Sequence, residues 1–475
     1  MIKAVAGSAV ALALAGCQRF EPAPLSATRG GAVLEARGLT EPGLKAFIET
    51  STGHELIIWP LSPWDFETLT LAAFYFHPSL DVARAQWGVA KAGIVTAGGR
   101  PNPSITLTPE YSFNPPAGVS PWLPSVSFSV PIETAGKRGH RIARAKELSE
   151  AARLNISSAA WQVRSRLRTA LLQSNSARQR ESLLQQQYAL HEKIVTQLER
   201  RLQAGTISSF EAASARINLA KAKAELENLR TSSAEALARL AEAVGVPAAA
   251  LSDLTIQVTW PQPSDTELAS AEMRGSALQS RPDILAGLAD YAASEAALQL
   301  EVAKQYPDVQ LGSGYQWDQG EHKWSIGLTM ELPLLNRNEG PIAEAKAKRI
   351  ETAARFDALQ ARAIAEIDLA TAGYRGARAN VATLDALLAA QEKQRTAVAA
   401  HFKAGAADQL EVLNAEAELA AAQLLRLEAQ AKAASAFGNL EDAIQRPFDA
   451  LSLVEQNPRV VVDRTDYAPR SAQRQ

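Results

Sequence analysis

The sequence predicts a mixed α+β chain, predominantly helical, built as two tandem repeats that each supply two membrane-length strands and a long helical hairpin. Three observations carry this: two stretches of alternating polarity, a spacing of about 200 residues that recurs along the chain, and helical seams about sixty residues long. The alternation is clearest where Val309, Leu311, Ser313, Tyr315 and Trp317 interleave with Gln310, Gly312, Gly314, Gln316 and Asp318. After Gln319-Gly320-Glu321-His322 it resumes, with Trp324, Ile326, Leu328, Met330 and Leu332 set against Lys323, Ser325, Gly327, Thr329 and Glu331. A period of two with a short turn between is a β-hairpin. Strands of about ten residues are long enough to cross a bilayer at a tilt.

The same pattern occurs earlier, in Ile105, Leu107, Tyr111 and Phe113, then in Val126, Phe128, Val130 and Ile132. Tyr111 corresponds to Tyr315 at a separation of 204, Val130-Pro131-Ile132 to Leu332-Pro333-Leu334 at 202, and Ile142-Ala143 to Ile342-Ala343 at 200. Ala204-Gly205 and Glu211 recur at 200 as Ala404-Gly405 and Glu411, and His77-Pro78 answers to Arg281-Pro282 upstream. One unit is used twice.

In chain order, residues 1–16 read as a signal peptide ending in Leu14-Ala15-Gly16, and the single cysteine, Cys17, follows directly. That order resembles a bacterial lipobox, so Cys17 is expected to be acylated and to become the mature N-terminus. With one Cys, no disulfide or multi-thiolate metal site forms within a chain. Residues 17–63, rich in Pro and Gly, read as a lipid-anchored arm lying over the body. The first repeat, residues 64–250, holds a helix broken at Pro78, a hairpin over about 104–132 and a helical hairpin over about 141–245. The second, residues 251–446, repeats this with a break at Pro282, a hairpin over about 308–333 and helices over about 341–445. A helix of sixty residues is roughly 90 Å long, so these must pack side by side as a coiled coil or helical barrel. Residues 447–475 read as a flexible tail.

Four strands cannot close a barrel, and an open sheet edge in lipid leaves backbone groups unpaired at several kcal/mol each. The chain must therefore oligomerise; three copies give twelve strands and an open lumen, and two copies, with eight, would also close. The polar positions Thr106, Thr108, Glu110, Gln310, Gln316 and Glu331 then face water. Formal net charge of −2 gives no basic stripe, which argues against nucleic acid as a partner. His54-Glu55 and His191-Glu192 lack the second His of a zinc helix, the six His residues show no ligand spacing, and there is no phosphate-binding Gly loop. No enzyme, cofactor or metal site is expected.

These features together resemble the TolC family of outer-membrane efflux proteins from Trp64 to Gln445, including Leu332-Pro333-Leu334-Leu335-Asn336-Arg337 leading into a helix and the Ala-Gly turns followed by acids. The resemblance implies a homotrimer, a twelve-stranded outer-membrane barrel and a long periplasmic α-helical barrel. It also implies a periplasmic adaptor (membrane fusion protein) and an inner-membrane pump of the resistance-nodulation-division type, in a Gram-negative outer membrane. Pro131-Ile132-Glu133-Thr134-Ala135-Gly136-Lys137-Arg138 is similar to heavy-metal members of the cobalt, zinc and cadmium type; a duct for drugs or other small organic molecules is the alternative. Carried over by position, Glu211, Glu411, Asn414, Phe402 and Asp408 mark a periplasmic gate. Ala204, Gly205, Thr206, Ile207, Ser208, Ala404, Gly405, Ala406 and Ala407 mark adaptor-contacting turns. Asn414 and Ala407 replace an acid and a basic residue of the family pattern, so the family's salt-bridge latch is not expected. A ring of acids at a narrow aperture favours cations. A lipid-anchored coiled-coil spacer would explain Cys17 and the helices, but not two amphipathic hairpins at equivalent places.

Overall fold

Proline and its capping neighbours set the helix boundaries ahead of each hairpin. The computed structural model describes residues 20–258 and 271–448, so the segment around Cys17 and most of the C-terminal tail lie outside the described residues. Helices α1 (Ala27–Glu35) and α2 (Pro42–Thr52) precede α3 (Phe66–Phe76) and α4 (Pro78–Ala97). Asp65 opens α3 with a reciprocal cap, its carboxylate accepting from the Thr68 N–H at 2.8 Å. The chain turns extended at His77, and Pro78 starts α4 where no N–H is needed. Arg281 and Pro282 do the same between α7 (Ala271–Ser280) and α8 (Pro282–Ala303).

Strands β1 (Ser104–Tyr111) and β2 (Trp122–Ile132) lead into α5 (Lys137–Gln203) and α6 (Ser209–Val244); β3 (Val309–Asp318) and β4 (Glu321–Met330) lead into α9 (Glu339–Lys403) and α10 (Gln409–Ile444). α5 runs for 67 residues, about 100 Å at 1.5 Å per residue. The fold class read from the sequence holds.

The four strands form one antiparallel sheet in the order β1-β2-β3-β4. Its register puts Leu107, Val126 and Tyr315 in one row that ends at Trp324, and Thr106, Ser127, Gly314 and Ser325 in another. One face is thus apolar across all four strands, while the other is built mainly from hydroxyls, glycines and amides. Trp324 and Ile326 are 80% and 87% exposed in the single chain, an arrangement that lipid makes favourable. β4 stops at Met330, opposite Val309, the first residue of β3. Glu331 and Leu332, expected within the strand, therefore lie beyond it, because β3 offers them no partner.

Within the described residues the arm carries two helices and lies against the body: α2 buries Leu44, Phe47 and Ile48 against a core of Trp64, Phe74, Phe76, Leu167 and Leu240. Arg37 donates to the carbonyls of Phe76 at 2.8 Å and Gly245 at 3.1 Å, satisfying the ends of α3 and α6 together. Gly245 sits at φ +88°, and a Cβ there would come within 3.1 Å of the Phe76 backbone. The two repeats join where Arg168 of α5, 2% exposed, meets Glu441 at 2.7 Å and Asp442 at 2.6 Å on α10. Arg164 adds a second bond to Glu441 at 3.0 Å. By contrast, α9 buries only Ala363, Ile367 and Tyr374, leaving most of its length uncovered.

Candidate functional site

The tips of the two helical hairpins are matching turns 200 residues apart. In the first, Thr206 N–H donates to the Arg201 carbonyl at 2.9 Å and Gly205 N–H to that of Leu202 at 3.0 Å. In the second, Ala406 N–H donates to the His401 carbonyl at 2.8 Å and Gly405 N–H to that of Phe402 at 3.0 Å. Gly205 and Gly405 adopt φ +71° and +75°, a left-handed conformation that glycine takes without steric cost. Ala204 and Ala404 close the preceding helices, and Ser208 and Asp408 cap the next ones by accepting from the N–H groups of Glu211 at 3.3 Å and Glu411 at 2.9 Å.

One ion pair ties the tips together. Arg201 Nη2 donates to Asp408 Oδ2 at 2.8 Å, with Gln197 Nε2 donating to Gln409 Oε1 at 3.1 Å beside it. Beneath them Ile194, Val195, Leu198, Ala215 and Leu413 form a small apolar cluster with Ile207 and Leu410 packed against it. The Arg201 guanidinium holds the Asp408 carboxyl below its ordinary range, and the Glu411 N–H adds to this. Glu211, Glu411, Asn414 and Phe402 are exposed, Ala407 and Asp408 half-buried. Glu211 accepts from the Ser208 hydroxyl at 3.1 Å. Arg201 did not stand out in the sequence, because its counterpart is His401 and nothing local distinguishes it from the many arginines of a long helix. The signal that could have found it is the divergence between the repeats, Arg201 and Asp408 against His401 and Ser208.

At the other end, Thr106, Thr108, Glu110, Gln310 and Gln316 all lie on the polar face of the sheet; Glu331 follows β4. Near the hairpin turns, Tyr111 stacks edge-on against Trp122 at 5.0 Å and Tyr315 lies 4.9 Å from Trp324. Aromatics at one level of an apolar face are the pattern of a membrane interface. Among the described residues no helix is long and apolar enough to cross a membrane, and no cluster of three or more His, Cys, Asp or Glu could hold a metal ion.

The outer membrane efflux protein family matches residues 75–246 and 273–444, one match for each repeat. The chain belongs to this family. It is an outer-membrane efflux channel, the exit duct of a tripartite system, with a large periplasmic portion. The efflux channel is 24% identical to the cobalt-zinc-cadmium resistance protein CzcC of Cupriavidus metallidurans, over 80% of this chain and 90% of that one. It is also 24% identical to the nickel-cobalt-cadmium resistance protein NccC of Alcaligenes xylosoxydans xylosoxydans, over 67% and 71%. The outer membrane protein VceC of Vibrio cholerae shares its fold, with a TM-score of 0.66 at 21% identity, over 81% of this chain and 97% of VceC. Channels of this family are homotrimers that work with adaptors and inner-membrane pumps, and the relatives are channels rather than enzymes.

Proposed function

We propose that three copies close their sheets into a twelve-stranded barrel, and that the resulting duct passes heavy-metal cations outward from an inner-membrane pump of the resistance-nodulation-division type. The observation that carries this reading is the two-faced sheet with a free outer edge on β1 and on β4: its apolar face needs lipid, its polar face needs water, and its edges need partner strands. The long helical hairpins continue the duct into the periplasm. Glu211 and Glu411, together with Phe402, Asp408 and Asn414, form the narrow end there. Each acid, repeated by three-fold symmetry, favours cations over anions. The turns at Ala204–Ser208 and Ala404–Ala407, exposed except at Ile207 and Ala407, receive the periplasmic adaptor. Acylation of Cys17 adds a second attachment to outer-membrane lipid. The metal cargo is supported by two relatives named for cobalt, cadmium, zinc and nickel resistance.

Single-channel recording in planar bilayers tests this. Wild type should give small, cation-selective openings, and Glu211→Ala and Glu411→Ala should each lower cation selectivity. A preparation that never conducts, and stays a water-soluble rod once its lipid is removed, would sink the duct. Restoration of organic-drug resistance but not of cadmium resistance in a deletion strain would replace metal with drug as cargo.

A further inference from the structure

The internal repeat specifies more than the shape of one chain, because it contains a worked example of how two repeats meet. Inside the chain, β2 pairs with β3 and the crossover after β2 clasps the crossover before β3. Lys137 Nζ donates to the Tyr306 carbonyl and to Asp308 Oδ1, both at 2.7 Å. Thr134 donates through its hydroxyl to the Pro307 carbonyl at 2.7 Å and through its N–H to Asp308 at 2.9 Å.

The matching elements at the outer edges of the same chain are bare. The β4–α9 crossover leaves Leu332 and Leu334 exposed and Leu335 103% exposed, with Arg337 exposed beside them. The α4–β1 crossover likewise leaves Arg100 to Pro103 exposed.

The repeats correspond residue by residue here. Pro103 answers to Pro307 at the 204 spacing that relates Tyr111 to Tyr315, and Pro131 answers to Pro333 at 202. Arg138 and Asn338, 200 apart, play equivalent parts at the end of the preceding helix, where Arg138 Nε donates to the Gly98 carbonyl and Asn338 Nδ2 to the Glu301 carbonyl, each at 2.7 Å. On the same spacing Lys137 becomes Arg337, so the cation is kept. Thr134 becomes Asn336 at 202, and Asp308 becomes Ser104 at 204.

We propose that the joint between copies repeats the joint within the chain: Glu331 of one copy pairs with Thr108 of the next, and Arg337 and Asn336 clasp the next copy's Asn102–Ser104 crossover. This rests on the oligomeric barrel proposed above and supplies its register. It follows from the observed pairing of Val130 with Leu311 and Ile132 with Val309, which the spacings carry over to Leu332 with Leu107 and Leu334 with Ile105. Apolar positions then meet on the lipid face, while Glu331 meets Thr108 and Thr329 meets Glu110 on the lumen face. A slip by one residue would send every one of these side chains to the wrong face. The bare leucines are covered, and β4 gains the partner it lacks past Met330. Arg337 donates to the next copy's Asn102 carbonyl as Lys137 does to that of Tyr306, but Ser104 in place of Asp308 leaves this clasp without a carboxylate.

The test is disulfide trapping in outer membranes carrying the full chain. Directly opposed strand residues have Cα atoms about 4.5–5.5 Å apart, within disulfide reach, whereas diagonal neighbours are about 7–8 Å apart. Thr108→Cys with Glu331→Cys, and separately Glu110→Cys with Thr329→Cys, should give a covalent trimer on denaturing gels that reductant dissolves. Each single variant serves as control. The shifted pair Thr106→Cys with Glu331→Cys should give less than about a tenth of that yield. A higher yield from the shifted pair, or a trimer of native mass in which neither direct pair links, overturns the register while the oligomer stands. A wild-type protein of monomeric native mass in mild detergent would overturn the oligomer as well. If one double variant fails to assemble, the other decides the matter.

Discussion

Asp408 accepts from Arg201 on one carboxylate oxygen and from the Glu411 N–H on the other, so a single side chain both starts α10 and ties the second hairpin to the first. The pair is half-exposed, and exposed ion pairs contribute about 1 kcal/mol at most, which corresponds to roughly a fivefold change in an equilibrium. Arg201→Ala should therefore leave trimer yield unchanged and raise the open-to-closed ratio in single-channel records by up to about fivefold. The pH dependence has a definite sign. Because the folded-state pKa lies below the ordinary 3.8, the stabilisation is fully present above that value and is lost only as pH falls through the lower folded one. Open probability in the wild type should be flat from neutral pH into the mildly acidic range and rise beneath the carboxylate range. Asp408→Asn should show the raised level throughout. A rise centred near pH 6 would overturn Asp408 as the group responsible.

At the scale of elements, α5 and α10 are held by charges taken out of water. Removing one member of such a group strands its partners, at a cost of about 3–5 kcal/mol. Arg168→Met should lower the unfolding free energy measured in urea by about 3 kcal/mol, the lower end of that range, since Arg164 still reaches Glu441. Gly438→Ala should also destabilise, because the added Cβ would come within 3.0–3.1 Å of the Arg168 side chain; small overpacking of this kind costs about 1–3 kcal/mol. None of this network was legible in the sequence. Period two, period 3.6 and the X-Pro breaks act over a few residues, so both β-hairpins, both helical hairpins and the interruptions at Pro78 and Pro282 could be read directly. Which arginine of a 67-residue helix faces which carboxylate depends on helix neighbours more than 250 positions away. α2 is legible only in part: Pro42 at its start and Leu44, Phe47 and Ile48 at helical spacing stand in the sequence, but the Pro- and Gly-rich surroundings break any longer period. The tip turns were found by their repeated Ala-Gly pairs, and Arg201 was missed because that position is one the repeats do not share.

For the whole molecule, the sheet arrangement sets an order of assembly. β1 finds β2, and β3 finds β4, across short turns, but β2 reaches β3 only after the chain has travelled down α5 and back along α6. Thr134 and Asp308, which fasten that central joint, are 174 residues apart. Closing a loop that long is entropically slow unless the intervening chain has already folded back on itself. Helix formation in the periplasm thus brings the two strand pairs together and speeds formation of the four-stranded sheet. Substitutions that slow pairing of α5 with α6 should therefore show up as delayed membrane insertion, even though they lie far from the bilayer.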